Sequence, residues 1–375
     1  MLRSQVHFQW STRPSARFTT GVSLHGHTLL SRESLGFIRK ATATVPWLSG
    51  TVQRLESQFE ARGRKLNLSE AWWTPLLSPR QAFDTESRQI ESVLGLKPLV
   101  SLTDHDDPAA GLQLRAVAAG RDIPVSVEWT VPFRQTFFHV GLHNISPSRA
   151  NTAMAAMRDL THAPNEKRTG EMLASLAEDK ATLIVFNHPA FDESHVGPHI
   201  HNQHVHSFLH LYRRSIHAIE LNGLRSWKEN RIAARLAQEA GLPVVSGGDR
   251  HGREPNACLN LTNARTFAEF VNEVRHDGLS QILFMPQYRE SLLLRVIESV
   301  SDVMQPDPHH ALGWTHWSDR IFCETEDGVR SLAQLWGGPL PSPVNQVLAA
   351  MRLLRLRQVR SALRFALTER GEFVL

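Results

Sequence analysis

Between residues 96 and 285 the chain repeats one pattern: a short apolar run rich in β-branched residues, then a stretch whose apolar residues return every three or four positions. The runs are LKPLVSLTD (96–104), IPVSVEWTV (123–131), TLIVFN (182–187), IHAIELN (216–222), LPVVSGG (242–248) and QILFM (281–285). SWKENRIAARLAQEAG and TFAEFVNEVRHDG are the clearest helical stretches between them. Such alternation implies a mainly parallel sheet closed or covered by helices, because parallel neighbours need a long crossover. A length of 375 residues admits either two domains or one α/β barrel with extensions.

Polar residues gather where these runs end. His25 and His27 follow GVSL, Asp104 and His105 follow PLVSLT, His188 follows LIVFN, and Asp249 and His251 follow PVVSGG. In β/α folds the carboxyl ends of parallel strands converge on one face, where ligand sites are built. Distant parts of the sequence are therefore expected to aim imidazoles and carboxylates at one place.

Composition narrows the chemistry. The net charge of +4 is too mild to indicate a nucleic-acid binder without a local basic patch, whereas 20 histidines are unusual. Cys258 and Cys323 make no disulfide framework and lack zinc-ligand spacing, which fits a reducing compartment. The N-terminal MLRSQVHFQWSTRPSARF lacks the apolar core of a secretory signal, and no segment approaches a membrane span. The expectation is a cytoplasmic protein.

Two imidazoles separated by one residue at an extended strand end project to the same side, so His25 and His27 can grip one ion. The pattern is weak alone. It gains weight from TDHD (103–106), Glu128 in SVEWT, His139 in FFHVGL, NHPA (187–190) and GGDRHG (247–252), which follow in order. Together these motifs resemble the PHP superfamily, the polymerase and histidinol phosphatase domain, over roughly residues 20–285.

The resemblance implies a distorted (β/α)7 TIM-like barrel holding two or three divalent ions. It places the first ion on His25, His27, Glu128 and Asp249, and the second on Glu128, His139 and His188. The third would rest on His105, His251 and a residue after the first motif. Many relatives carry Asp five residues after the second histidine; here that position is Arg32, which cannot ligate a cation. Some place the ligand one residue later, at Glu33 here. Asp249, His251 and His188 are expected at the reacting centre. Asp104 is expected to orient a neighbouring imidazole rather than to bind metal.

Mixed histidine and carboxylate donors suit Mn, Fe or Zn. Paired ions activate water and neutralise anionic esters, so the expected reaction is attack of metal-bound hydroxide on a phosphate ester of a small metabolite or nucleotide. Candidate phosphate contacts are Arg32, Arg134, Arg250 and Arg253, with His195 and His199 from the histidine-rich segment 192–217. Two rivals stay open: a hydrolase of non-phosphate bonds, as in the related amidohydrolases, and a metal-stabilised binding module.

The expected organisation is an N-terminal extension (1–19), a barrel region (20–300) with an insertion near 41–80, and a helical C-terminal extension (301–375). The last ends in an amphipathic helix bearing Arg352, Arg355, Arg357, Arg360 and Arg364.

Overall fold

The computed structural model describes residues 3–10, 14–35, 71–117, 122–325 and 328–336, with positions 57, 61 and 359. The basic C-terminal helix and most of the segment 41–80 lie outside the described residues. The first strands are β1 (Arg3–Phe8), β2 (Thr20–Ser23), β3 (Glu33–Ser34) and β4 (Trp72–Trp73), followed by α1 (Pro79–Gln89), β5 (Lys97–Val100) and α2 (Ala109–Ala116). Then come β6 (Val125–Phe133), β7 (Thr136–Ile145), α3 (Pro147–His162), α4 (Glu166–Glu178), β8 (Leu183–Phe186) and α5 (Pro198–Tyr212). The alternation continues with β9 (Ala218–Asn222), α6 (Trp227–Ala240), β10 (Val244–Gly247), β11 (Cys258–Thr262), α7 (Phe267–Arg275) and β12 (Leu279–Phe284). Last are α8 (Leu292–Met304), β13 (Ile321–Thr325), β14 (Gly328–Ser331) and α9 (Leu332–Trp336).

Local chemistry sets several boundaries. Ser78 and Ser226 close capping boxes with Gln81 and Glu229, which start α1 and α6 by satisfying otherwise unpaired amides. Gly241, left-handed at φ 61°, ends α6.

Two five-stranded sheets, β1-β12-β11-β2-β5 and β10-β9-β8-β7-β6, carry most of the architecture. They are joined by isolated parallel bridges, Gly26 to Arg250 and His105 to Glu128, so the segments leaving β2, β5 and β10 meet beside β6. The fold is a mixed α/β arrangement. Its sheets are less parallel than the alternation implied. β2–β5, β8–β9 and β9–β10 pair in parallel, whereas β6–β7 and β7–β8 are antiparallel. The cause is a hairpin in which Arg134 (φ 56°) and Gln135 alone separate β6 from β7. That turn lacks the usual Asn-Gly or Asp-Gly signal, so β7 was not anticipated.

The apolar faces of β6–β9 pack against α3–α6 through residues such as Trp129, Phe186, Phe208 and Met157. A further difference lies after residue 300, where few strands were expected: β13 and β14 complete an antiparallel sheet, β14-β13-β4-β3. This sheet matters for the site because β3 carries Glu33. Among the described residues no helix is long and apolar enough to cross a membrane.

Candidate metal centre

Three donors leave their strands in the left-handed backbone region, His25 (φ 60°), His188 (φ 28°) and Asp249 (φ 55°). Non-glycine residues are rarely held there unless surrounding structure enforces it, and such strain concentrates at functional sites. Here ladder-like bonds enforce it, with the Asp249 amide donating to the His25 carbonyl (2.7 Å) and the His27 amide to Arg250 (2.9 Å). Gly247 and Gly248 end β10 because nothing larger fits: an added Cβ would lie 1.6 Å from Glu220 Oε1 and 1.8 Å from the Asn256 side chain, respectively.

Around Glu128 the donors form two groups. Its Oε2 lies 2.9 Å from His25 Nε2 and 3.3 Å from His27 Nε2, while Asp249 Oδ1 stands 3.7 and 3.5 Å from the same two nitrogens. Its Oε1 lies 3.3 Å from His188 Nε2 and 3.5 Å from His139 Nδ1, and those nitrogens are 3.4 Å apart. A third group centres on Glu33, whose Oε2 is 3.3 Å from His105 Nε2 and 3.1 Å from His251 Nε2. A tetrahedral site with bonds of about 2.1 Å has donor-to-donor edges of roughly 3.4 Å. Most of these separations match that edge.

The donor chemistry fits divalent cations. Among the described residues, His27 Nε2, Glu33 Oε1 and His105 Nδ1 are buried polar atoms without a hydrogen-bond partner, an arrangement that is costly unless another group satisfies them. Four carboxylates, Glu33, Glu128, Glu220 and Asp249, are buried among these imidazoles. Burial would raise the pKa of Glu33 and Glu128, but neighbouring imidazoles hold both well below the usual carboxylate range. Asp249 is held down against burial by Arg225 first, then His25. Burial pulls His27 and His139 down to about 4, leaving neutral rings with lone pairs to offer. His25 moves the other way, because Glu128, Glu220 and Asp249 outweigh its burial.

The supporting residues are partly unanticipated. Glu220 Oε1 lies 2.5 Å from His25 Nδ1, which turns Nε2 toward Glu128, and its Oε2 accepts from the His188 amide and Asn222 Nδ2, each at 2.8 Å. Asn187 donates to Glu128 Oε1 (2.9 Å). Arg225 pairs with Asp249 Oδ2 (3.2 Å) and lies over the Phe191 ring at 3.8 Å. A carboxylate in the apolar strand AIELN and an amide directly before His188 were visible signals for the first two; Arg225 had none.

Asp104 positions a turn, not an imidazole: its oxygens accept from Thr28 N (2.6 Å) and Thr28 Oγ1 (2.7 Å). Burial pushes its pKa up to about 7.

Among the expected phosphate contacts, Arg250 is a correction. It is buried, with Nε on Glu86 Oε1 (2.9 Å), Nη1 on the Gly252 carbonyl (2.8 Å) and Nη2 on the His27 carbonyl (3.0 Å), so its donors are committed to the fold. Arg134 engages Ser207 and Glu166 on α5 and α4, and Arg253 engages Asp307. Arg32 is exposed with its guanidinium 4.8 Å above Trp72, while adjacent Glu33 faces the histidines. His195 and His199 are exposed, and His199 pairs with Gln203. A solvent-open cleft borders the centre along Leu224 and residues 248–252.

No family model matches this sequence, and no curated protein does. Three solved structures similar in shape are an amidohydrolase from Chromobacterium violaceum (17% identity, 53% of this chain and 92% of that one, TM-score 0.37), PsfC from Pseudomonas syringae PB-5123 (14%, 75% and 96%, 0.42), and a candidate metal-dependent phosphoesterase from Bifidobacterium adolescentis (14%, 55% and 92%, 0.33). With TM-scores below 0.5, these likenesses assign neither family nor activity to this chain.

Proposed function

We propose that this chain is a metal-dependent hydrolase of the PHP kind that cleaves phosphate esters of a small metabolite or nucleotide. The observation that carries the reading is the double-faced placement of Glu128, with one oxygen toward His25 and His27 and the other toward His139 and His188. A shared carboxylate suits a pair of dications about 3.5–4 Å apart. Support for a distorted seven-strand barrel comes from β2 and β5–β10, which the two bridges link into a ring.

His25, His27, Glu128 and Asp249 would hold one ion, Glu128, His139 and His188 a second, and Glu33, His105 and His251 a third. Bound Mn, Fe or Zn would supply water activation and polarisation of a phosphoryl oxygen. Asp249, His188 and His251 flank the reacting region. Glu220 holds the His25 ring so that Nε2 faces the donors. Arg225 replaces Arg250 as the guanidinium assigned to the phosphoryl oxygens, since Phe191 and Asp249 fix its plane.

The test is elemental analysis plus a screen of aryl phosphates, phosphodiesters, nucleotides, lactones and amides with added Mn²⁺. Phosphoester turnover that disappears with chelator and in His25→Ala is expected. Purified protein that takes up no divalent metal sinks the proposal, and turnover of lactones or amides alone transfers it to the amidohydrolase class.

A further inference from the structure

One carboxylate beside the second donor group is not accounted for by the reading above. Glu193 Oε2 lies 3.6 Å from His139 Nδ1, and donor atoms of His139, His188 and Glu193 all fall within 4.8 Å of one another. The separation matches the edges among the other donors. Unlike Glu128, whose side chain is 1% exposed, Glu193 is 33% exposed and stands at the solvent edge of the group.

A glutamate on a loose loop would make such a contact by chance, but this loop is fastened on both sides of Glu193. Ser194 Oγ accepts from Thr136 Oγ1 (2.8 Å) and from the Phe137 amide (3.3 Å), tying it to the start of the strand that carries His139. The Asp192 carboxylate accepts from the Val196 (3.2 Å) and Gly197 (2.8 Å) amides, and the Glu193 amide donates to the Phe191 carbonyl (3.1 Å). The backbone is therefore committed before the side chain reaches His139, and little conformational freedom remains to be lost on ligation.

We propose that Glu193 is the fourth protein donor of the ion assigned to Glu128, His139 and His188, and that an incoming oxyanion displaces it. The proposal rests on the metal-centre reading. Two imidazoles, one oxygen of the shared Glu128 carboxylate and the Glu193 carboxylate offset most of a dication's charge and supply two hard oxygen donors, a set suited to Mn²⁺ or Fe²⁺. A phosphate brings its own oxygens and negative charge to the same open side, and partial exposure lets the Glu193 carboxylate leave into water.

Equilibrium Mn²⁺ binding of wild type, Glu193→Gln and Glu193→Ala, measured against a competing chelator, tests the first half. One site should weaken by about tenfold or more, at least the order that loss of a supporting group produces, with the other sites unmoved. Binding of inorganic phosphate to the Mn²⁺-loaded proteins tests the second half, and Glu193→Ala should bind it more tightly than wild type because no carboxylate must be displaced. Unchanged ion affinity in both variants, with unfolding midpoints like wild type, overturns the role of Glu193. Phosphate affinity that is unchanged or weaker overturns the displacement. Wild type that takes up no Mn²⁺ overturns the metal-centre reading itself.

Discussion

Arg250 is the position at which packing and chemistry make opposite predictions, so Arg250→Met is the most informative substitution. Its guanidinium and the Glu86 carboxylate are 3% and 1% exposed, and their contact is 2.9 Å. Burial raises the Glu86 pKa and lowers that of Arg250 despite their mutual attraction, the signature of a pair whose desolvation outweighs its Coulombic gain. Breaking such a pair is nevertheless expensive. Among the described residues, Arg250→Met leaves Glu86 with only Ser23 and the Asn256 amide as donors, and strips the His27 and Gly252 carbonyls of the Arg250 donors. The expected loss is about 3–5 kcal/mol, and Glu86→Leu should cost a similar amount by stranding the guanidinium. In the double variant neither charge is stranded, and roughly 4 kcal/mol remains, from the two carbonyls and from the Ser23 hydroxyl and Asn256 amide that lose their acceptor, at about 1 kcal/mol each. Urea unfolding followed by tryptophan fluorescence, with Mn²⁺ and with chelator, measures all four corners of the cycle. A loss below about 1 kcal/mol in Arg250→Met, or single losses that simply add, refutes the clamp. A raised KM at full stability would restore Arg250 as a substrate contact.

One further outcome concerns a supporting residue of the centre, and another a histidine remote from it. Glu220→Gln should weaken binding of one ion about 10–100-fold, because Gln cannot offer His25 Nδ1 the same charged acceptor; isothermal titration with Mn²⁺ checks this, and an unchanged affinity refutes the orienting role. His217 lies apart from the metal centre. Its Nδ1 accepts from the Ile184 amide, and burial, then Arg275, lowers its pKa to about 3. A depressed folded pKa means that stability is present above about pH 6.5 and drains as pH falls toward 3, by about 1.4 kcal/mol per unit. Between pH 7 and 5 His217→Asn should therefore escape roughly 2 kcal/mol of the wild-type loss; parallel pH slopes for the two proteins would refute it.

Much of the arrangement was legible in one dimension. Strands β5, β6, β8, β9, β10 and β12 and helices α6 and α7 stand where periodicity put them, since side-chain burial on a strand or helix is a local, repeating property. The polar residues that follow β2, β5, β8 and β10 are brought within a few ångströms of Glu128 on β6 or Glu33 on β3. Other features carried too faint a local trace. The β6–β7 hairpin turns on Arg134 and Gln135, neither a customary turn residue, and Glu220 passes for one more charged position until its neighbours are known.

Arg250 and Arg225 show where local reading ends. Both follow sheet strands near the centre, and nothing in the residue type separates them. What separates them is that Glu86, 164 positions away in sequence, is buried against Arg250, whereas Arg225 stacks on Phe191 and reaches Asp249. Residue order thus specified which chemical groups were on offer and at which strand ends they stood. Which lone pairs face one another was decided only by the Gly26 and His105 bridges between the two sheets and by the left-handed turns at His25, His188 and Asp249. The reason is physical: periodicity is written in nearest neighbours, while a coordination distance is the sum of many remote packing choices.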